Sequence, residues 1–76
     1  MNDIVLNKAE KSRVDAYKAF SEYARIEIMR ACGKGLCFID IYYYDDAFRD
    51  LLTDALIADG YIIQTIENDH IMKIRW

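Results

Sequence analysis

The sequence predicts a single small α+β domain of α-β-α-β-β layout, and three observations carry that prediction. Residues 7–32 contain no glycine or proline and are rich in Ala, Glu, Lys, Arg and Met, the strong helix formers. Three later segments, 36–43, 61–66 and 71–76, are dense in aromatic and β-branched residues, which favour strands. The three glycines, Gly33, Gly35 and Gly60, stand where helices should stop rather than inside any periodic stretch. With 76 residues the chain is one domain, 1–76, without repeats or linkers.

The first helix is predicted from Asn7, which with Glu10 forms a capping-box pattern, to Cys32. At 100° per residue Tyr17, Phe20, Ala24, Ile28 and Ala31 share one face, flanked by Val14, and make the core stripe. Ala16, Ala19, Tyr23 and Ile26 form a second apolar stripe rotated well away from the first. A helix apolar on two sides usually has two neighbours, so this stripe is the candidate homo-oligomer interface. A domain this small has a marginal core, which also favours oligomerisation.

The first strand, 36–43, places Cys37, Ile39, Ile41 and Tyr43 on one face and Leu36, Phe38, Asp40 and Tyr42 on the other. The second helix, about residues 46–59, opens at Asp45-Asp46, where carboxylates suit both the cap and the positive end of the helix dipole. Its Phe48, Leu51, Leu52, Ala55 and Leu56 have core spacing. Strands 61–66 and 71–76 form a hairpin about Asn68-Asp69. In the last, Met72, Ile74 and Trp76 alternate with Ile71, Lys73 and Arg75. The preferred sheet sets the third strand between the first two, antiparallel to both, with the long helix on one face. An arrangement with the first two strands adjacent and parallel stays open.

A long charged helix, a short strand, a capped helix ending in Gly60-Tyr61 and a hairpin ending in Ile74-Arg75-Trp76 resemble small uncharacterised proteins of tailed bacteriophages. The resemblance spans most of the chain through short motifs; the two cysteines and the Tyr42-Tyr43-Tyr44 run lie outside it. It implies a protein of the infected host's cytoplasm that binds and blocks a host factor, and it brings no catalytic residues.

Composition narrows the function classes. The net charge is −3 and the pI about 4.9, which argues against a general nucleic-acid binder. Residues 1–35 carry seven Lys/Arg against five Asp/Glu, and residues 36–76 carry three against eight. No run approaches the roughly 18 apolar residues of a membrane span, and Met1-Asn2-Asp3 lacks the basic start of a secretory signal. Cys32 and Cys37, with four residues between them, are expected to be buried free thiols of a cytoplasmic protein.

Catalysis has little support. The nucleophile candidates Ser12, Ser21, Thr53, Thr65, Cys32 and Cys37 have His70 as their one possible imidazole base. Asp46, Asp50 and Asp54 share a helix face but read as a solvated surface, and Gly33-Lys34-Gly35 is too short for a phosphate loop. The chain is therefore expected to be no enzyme, with no cofactor and no metal. Binding is better supported: Tyr42, Tyr43 and Tyr44 cannot all point inward, since alternate strand residues face opposite ways. Together with Asp45 and Asp46 they form the candidate surface for a protein partner, with packing over a sheet edge as the alternative for the tyrosines. The competing expectation is an oligomeric binder of a nucleotide or phosphate signal through Lys73 and Arg75.

Overall fold

A computed structural model of the chain describes residues 8–76. The elements are α1 (Lys8–Gly33), β1 (Phe38–Tyr42), α2 (Asp46–Ala58), β2 (Ile62–Ile66), a short 3-10 turn (Glu67–Asp69) and β3 (Ile71–Arg75). The order is the α-β-α-β-β expected, and the strands form one sheet, β1-β3-β2, with β3 antiparallel to both neighbours. The arrangement with β1 beside β2 is therefore excluded. The proposed Asn7 cap lies outside the described residues.

Both helices stop in the same way. At the end of α1 the Leu36 N–H donates to the Ala31 carbonyl at 2.9 Å and the Gly35 N–H to Cys32 at 3.0 Å. At the end of α2 the Tyr61 N–H donates to Leu56 and the Gly60 N–H to Ile57, each at 3.0 Å. Each pair is the double closure that requires a left-handed residue, supplied here by Gly35 at φ 79° and Gly60 at φ 97°. Asp45 caps α2: its Oδ1 accepts from the Ala47 N–H at 2.8 Å and from the Phe48 N–H at 3.1 Å. The hairpin turn also has a left-handed residue, His70 at φ 53°, one position beyond Asn68-Asp69.

The core is a single layer between the helices and one face of the sheet. Ala24 and Ile28 of α1 and Leu52 and Leu56 of α2 meet Ile41, Tyr43, Met72 and Ile74 from the sheet. Tyr17, Phe20, Ile39, Tyr61, Ile63 and Trp76 pack around them, and Tyr61 meets Trp76 edge-on at 5.9 Å. α1 lies chiefly over β1 and α2 over β2. The 26-residue α1 is about 39 Å long against about 17 Å for a five-residue strand, so much of it runs past the sheet. Its buried residues, Ala24, Ile28 and Ala31, all fall in the C-terminal half.

Two members of the expected core are exposed. Val14 of α1 and Leu51 of α2, the latter beside the fully buried Leu52, line an open cleft with Arg13, Tyr17, Ala47 and Phe48. The cysteines correct another expectation. Both are free and exposed: Cys32 stands in the last turn of α1, and Cys37 precedes an edge strand.

The opposite face of the sheet carries no element of the described chain. The register sets three rows across it: Phe38–Arg75–Ile62, Asp40–Lys73–Gln64 and Tyr42–Ile71–Ile66. The apolar outer rows flank a polar one in which Lys73 Nζ reaches Asp40 Oδ2 at 3.3 Å.

Ile74→Ala is expected to lower the unfolding free energy by about 2–5 kcal/mol, since the fully buried side chain leaves a cavity in the only core layer. Gly60→Ala is expected to cost about 1 kcal/mol by placing a Cβ on left-handed backbone. Urea unfolding should show both as lower midpoints at an unchanged slope.

Candidate functional site

The three consecutive tyrosines separate at the end of β1. Tyr43, on the helix-facing side, is only 1% exposed, whereas Tyr42 is 61% and Tyr44 96% exposed. Tyr43 therefore leaves the candidate contact surface: the period of the strand turns it under α2, and it is part of the core. Tyr44 follows the strand and precedes the α2 cap, so it escapes the pleat and stands in solvent.

Tyr43 is held where it is by Arg49 of α2. Arg49 Nη1 donates to the Tyr43 hydroxyl at 3.2 Å, and the guanidinium lies 5.2 Å from the centre of the tyrosine ring. The same guanidinium donates through Nε to Asp50 at 2.9 Å and sits 3.7 Å from both Asp46 and Glu67. The Asp50 hydrogen bond first, and the Tyr43 hydroxyl second, hold Arg49 charged even more firmly than an ordinary arginine. His70 packs edge-on to the Tyr43 ring at 5.4 Å, and its carbonyl accepts from the Tyr43 N–H at 3.0 Å. One arginine thus links α2, the end of β1 and the β2–β3 turn.

Two shallow clefts flank Tyr44. One, of about 260 Å³, is lined by Ala16, Phe20, Tyr44, Asp45 and Phe48. The other, of about 300 Å³, is lined by Tyr42, Tyr43, Tyr44, Asp69 and His70. Ala16 belongs to the second helix stripe, so the structure joins one end of that stripe to the tyrosine surface. The remaining stripe residues, Ala19, Tyr23 and Ile26, are exposed, the last two at 44% and 48%.

The carboxylates are partly engaged. Asp45 serves the α2 cap and lies 3.6 Å from Arg13, whose guanidinium also covers Phe48. Asp46 is exposed beside Arg49. Phe20, Phe48, Asp69 and His70 were not among the predicted site residues. The two phenylalanines carry a core period and the other two a turn signature, and neither pattern announces a cleft wall.

Lys73 and Arg75 lie on the open sheet face as the alternation of β3 requires. Lys73 is engaged by Asp40, which leaves Arg75 as the cation of that face without an ion-pair partner among the described residues. Among the described residues no group of three or more His, Cys, Asp or Glu side chains is placed to hold a metal ion, and no helix is long and apolar enough to cross a membrane. Set against protein-family models, curated proteins and solved structures, the chain matches none.

Arg49→Ala is expected to lower the thermal midpoint more than the surface control Lys18→Ala, because it unties three elements at once. Asp45→Ala is expected to cost about 1 kcal/mol through the lost cap. Tyr44→Ser should leave the midpoint unchanged; differential scanning calorimetry on the set checks all of these.

Proposed function

We propose that this chain is a small non-enzymatic protein-binding module, and that its partner docks on the end of the domain built around Tyr44. The observation that carries the reading is the near-complete exposure of Tyr44 between two clefts lined by Ala16, Phe20, Phe48, Tyr42 and His70. A tyrosine combines a large apolar area with a polar tip and has only two side-chain torsions to immobilise, which suits it to an interface anchor. Asp46 and Asp69 give the rim negative charge, so the complementary partner surface is apolar with a basic border. In the setting implied by the resemblance to tailed-phage proteins, the partner is a host protein whose activity is modulated or inhibited by being covered.

Self-association through Ala16, Ala19, Tyr23 and Ile26 belongs to the same proposal. Its support is the exposure of that stripe on a chain with one thin core layer. The phosphate-ligand alternative has less to draw on, since Asp40 already engages one of its two cations.

The test of the tyrosine site is a comparative capture from a bacterial host lysate with immobilised wild-type chain, Tyr44→Ser and the remote control Lys18→Ser. A protein held by wild type and Lys18→Ser, and displaced by free chain, should bind Tyr44→Ser weaker by about 2 kcal/mol, roughly thirtyfold in Kd. Equal capture by all three, or capture of nothing that free chain displaces, overturns the reading. For self-association, sedimentation equilibrium should find a mass above the monomer that Ile26→Glu reduces to the monomer without loss of helix; a wild-type monomer at high micromolar concentration refutes it.

A further inference from the structure

We propose that the outer edge of β2 is a docking site for one extended segment of a partner protein, β-forming along its middle and basic at its ends, which adds as a fourth strand. The proposal begins from hydrogen-bond alternation. The Tyr43 N–H donates to His70 and the Trp76 N–H to Cys37, each at 3.0 Å. With the observed register these place Ile39/Ile74 and Ile41/Met72 among the hydrogen-bonded pairs of β1 and β3. The backbone groups of Ile71, Lys73 and Arg75 then turn the other way, to Ile66, Gln64 and Ile62 of β2. What remains on β2 is Ile63 and Thr65, whose N–H and C=O groups point away from the sheet. No other described backbone group bonds to them.

The sheet has two edges, and charge distinguishes them. β1 ends its half of the sheet with Asp40 at mid-strand, a charge of the kind that keeps edge strands from pairing with another chain. β2 reads Ile62-Ile63-Gln64-Thr65-Ile66 and carries no charge and no proline. Such an edge is a template for strand addition, in which main-chain bonds supply affinity and alternate side chains supply specificity. On the open face the added strand would continue the rows that end in Ile62, Gln64 and Ile66.

Two constraints select a single foreign segment over a second copy of this chain. Acidic residues bracket β2: Asp59 before it, 3.5 Å from Arg25, and after it Asp69 with Glu67, the latter sharing Arg49 with Asp46 and Asp50, which leaves that end net acidic. An antiparallel copy paired about Gln64 sets the Asp59 end of one against the Glu67–Asp69 end of the other, like charge against like. Basic ends on a foreign strand reverse the sign. The second constraint is room: α2 packs on β2, so a twofold-related copy paired edge to edge at about 4.8 Å sets a second α2 on the same sheet face, where packed helices need about 8–10 Å between axes. A lone strand brings no second helix to that face. The site meets the Tyr44 surface only at Asp69 of the β2–β3 turn; Tyr44 itself follows β1, the opposite edge of the sheet.

Isotope-labelled full-length chain is titrated with a synthetic peptide of alternating valine and threonine with lysines at both ends, and with the same peptide ended in glutamates. Amide exchange at Ile63 and Thr65 is expected to slow by about tenfold or more with the lysine peptide and not with the glutamate peptide. Thr65→Pro removes an outward N–H while sparing the β2–β3 ladder, and it should abolish the effect. Gln64→Lys keeps the backbone intact and should weaken the lysine peptide at least tenfold, so the test holds even if the proline variant misfolds, and Tyr44→Ser should bind as wild type. No slowing with the lysine peptide, equal slowing with both, or slowing that follows protein concentration without peptide overturns the proposal; the last assigns the edge to a second copy.

Discussion

β3 lies between two strands and beneath two helices, so its two-residue side-chain period reaches every other element. With Met72 and Ile74 fully buried under the helices, Ile71, Lys73 and Arg75 have to face outward. The same alternation decides which backbone groups of β3 serve β1 and which serve β2, and hence which groups of β2 are left over. A shift of one residue in its pairing would send the core pair to solvent and bring a lysine and an arginine under the helices. Few cores this small could survive that, since the net stability of a domain is only about 5–15 kcal/mol.

The end of the domain that carries the tyrosines is organised by a second interaction, subordinate to the first. Tyr43 is buried because its strand position lies in phase with Ile39 and Ile41, and Arg49 satisfies its hydroxyl. Arg49 also neutralises part of the acidic charge of Asp46, Asp50 and Glu67. What that end of the domain presents is therefore less acidic than the sequence of that region suggests. Its prominent feature is the aromatic side chain of Tyr44, with Tyr42 one position before the buried Tyr43.

With both helices on one sheet face, no other element of the described residues covers the second face or either edge. In a larger protein further elements would cover them. Here the apolar fraction of the sequence, 54%, exceeds what one core layer can absorb. The excess is divided among the α1 stripe, the outer rows of the sheet and the ends of the helices. On α1 it is legible in the sequence as the second stripe, where Tyr23 and Ile26 are exposed. It was less legible on the sheet, because Phe38, Tyr42, Ile62, Ile66 and Ile71 lie on three separate strands and become neighbours only through register. Val14 and Leu51 show the converse. Both keep the helical period of core residues, yet they stand on the wall of an open cleft with Tyr17 and Phe48.

The sequence by itself determined the element order, the C-terminal ends of both helices, the Asp45 cap of α2 and the alternation of the first and last strands. These depend on local chemistry: glycine's access to left-handed backbone, the reach of the Asp45 carboxylate to the first turn of α2, and periods of 3.6 and 2. Strand order was preferred but left open, because hairpin and crossover signals constrain neighbours in sequence more than neighbours in space. Tertiary structure alone decided that Ala16, Phe20 and Phe48 meet Tyr44, that Arg49 links Tyr43 to Glu67, and that both cysteines are exposed. Each of these joins residues from separate elements or depends on where one element outruns its neighbour. Their positions follow from the packing of α1 and α2 across β3, which no local period encodes.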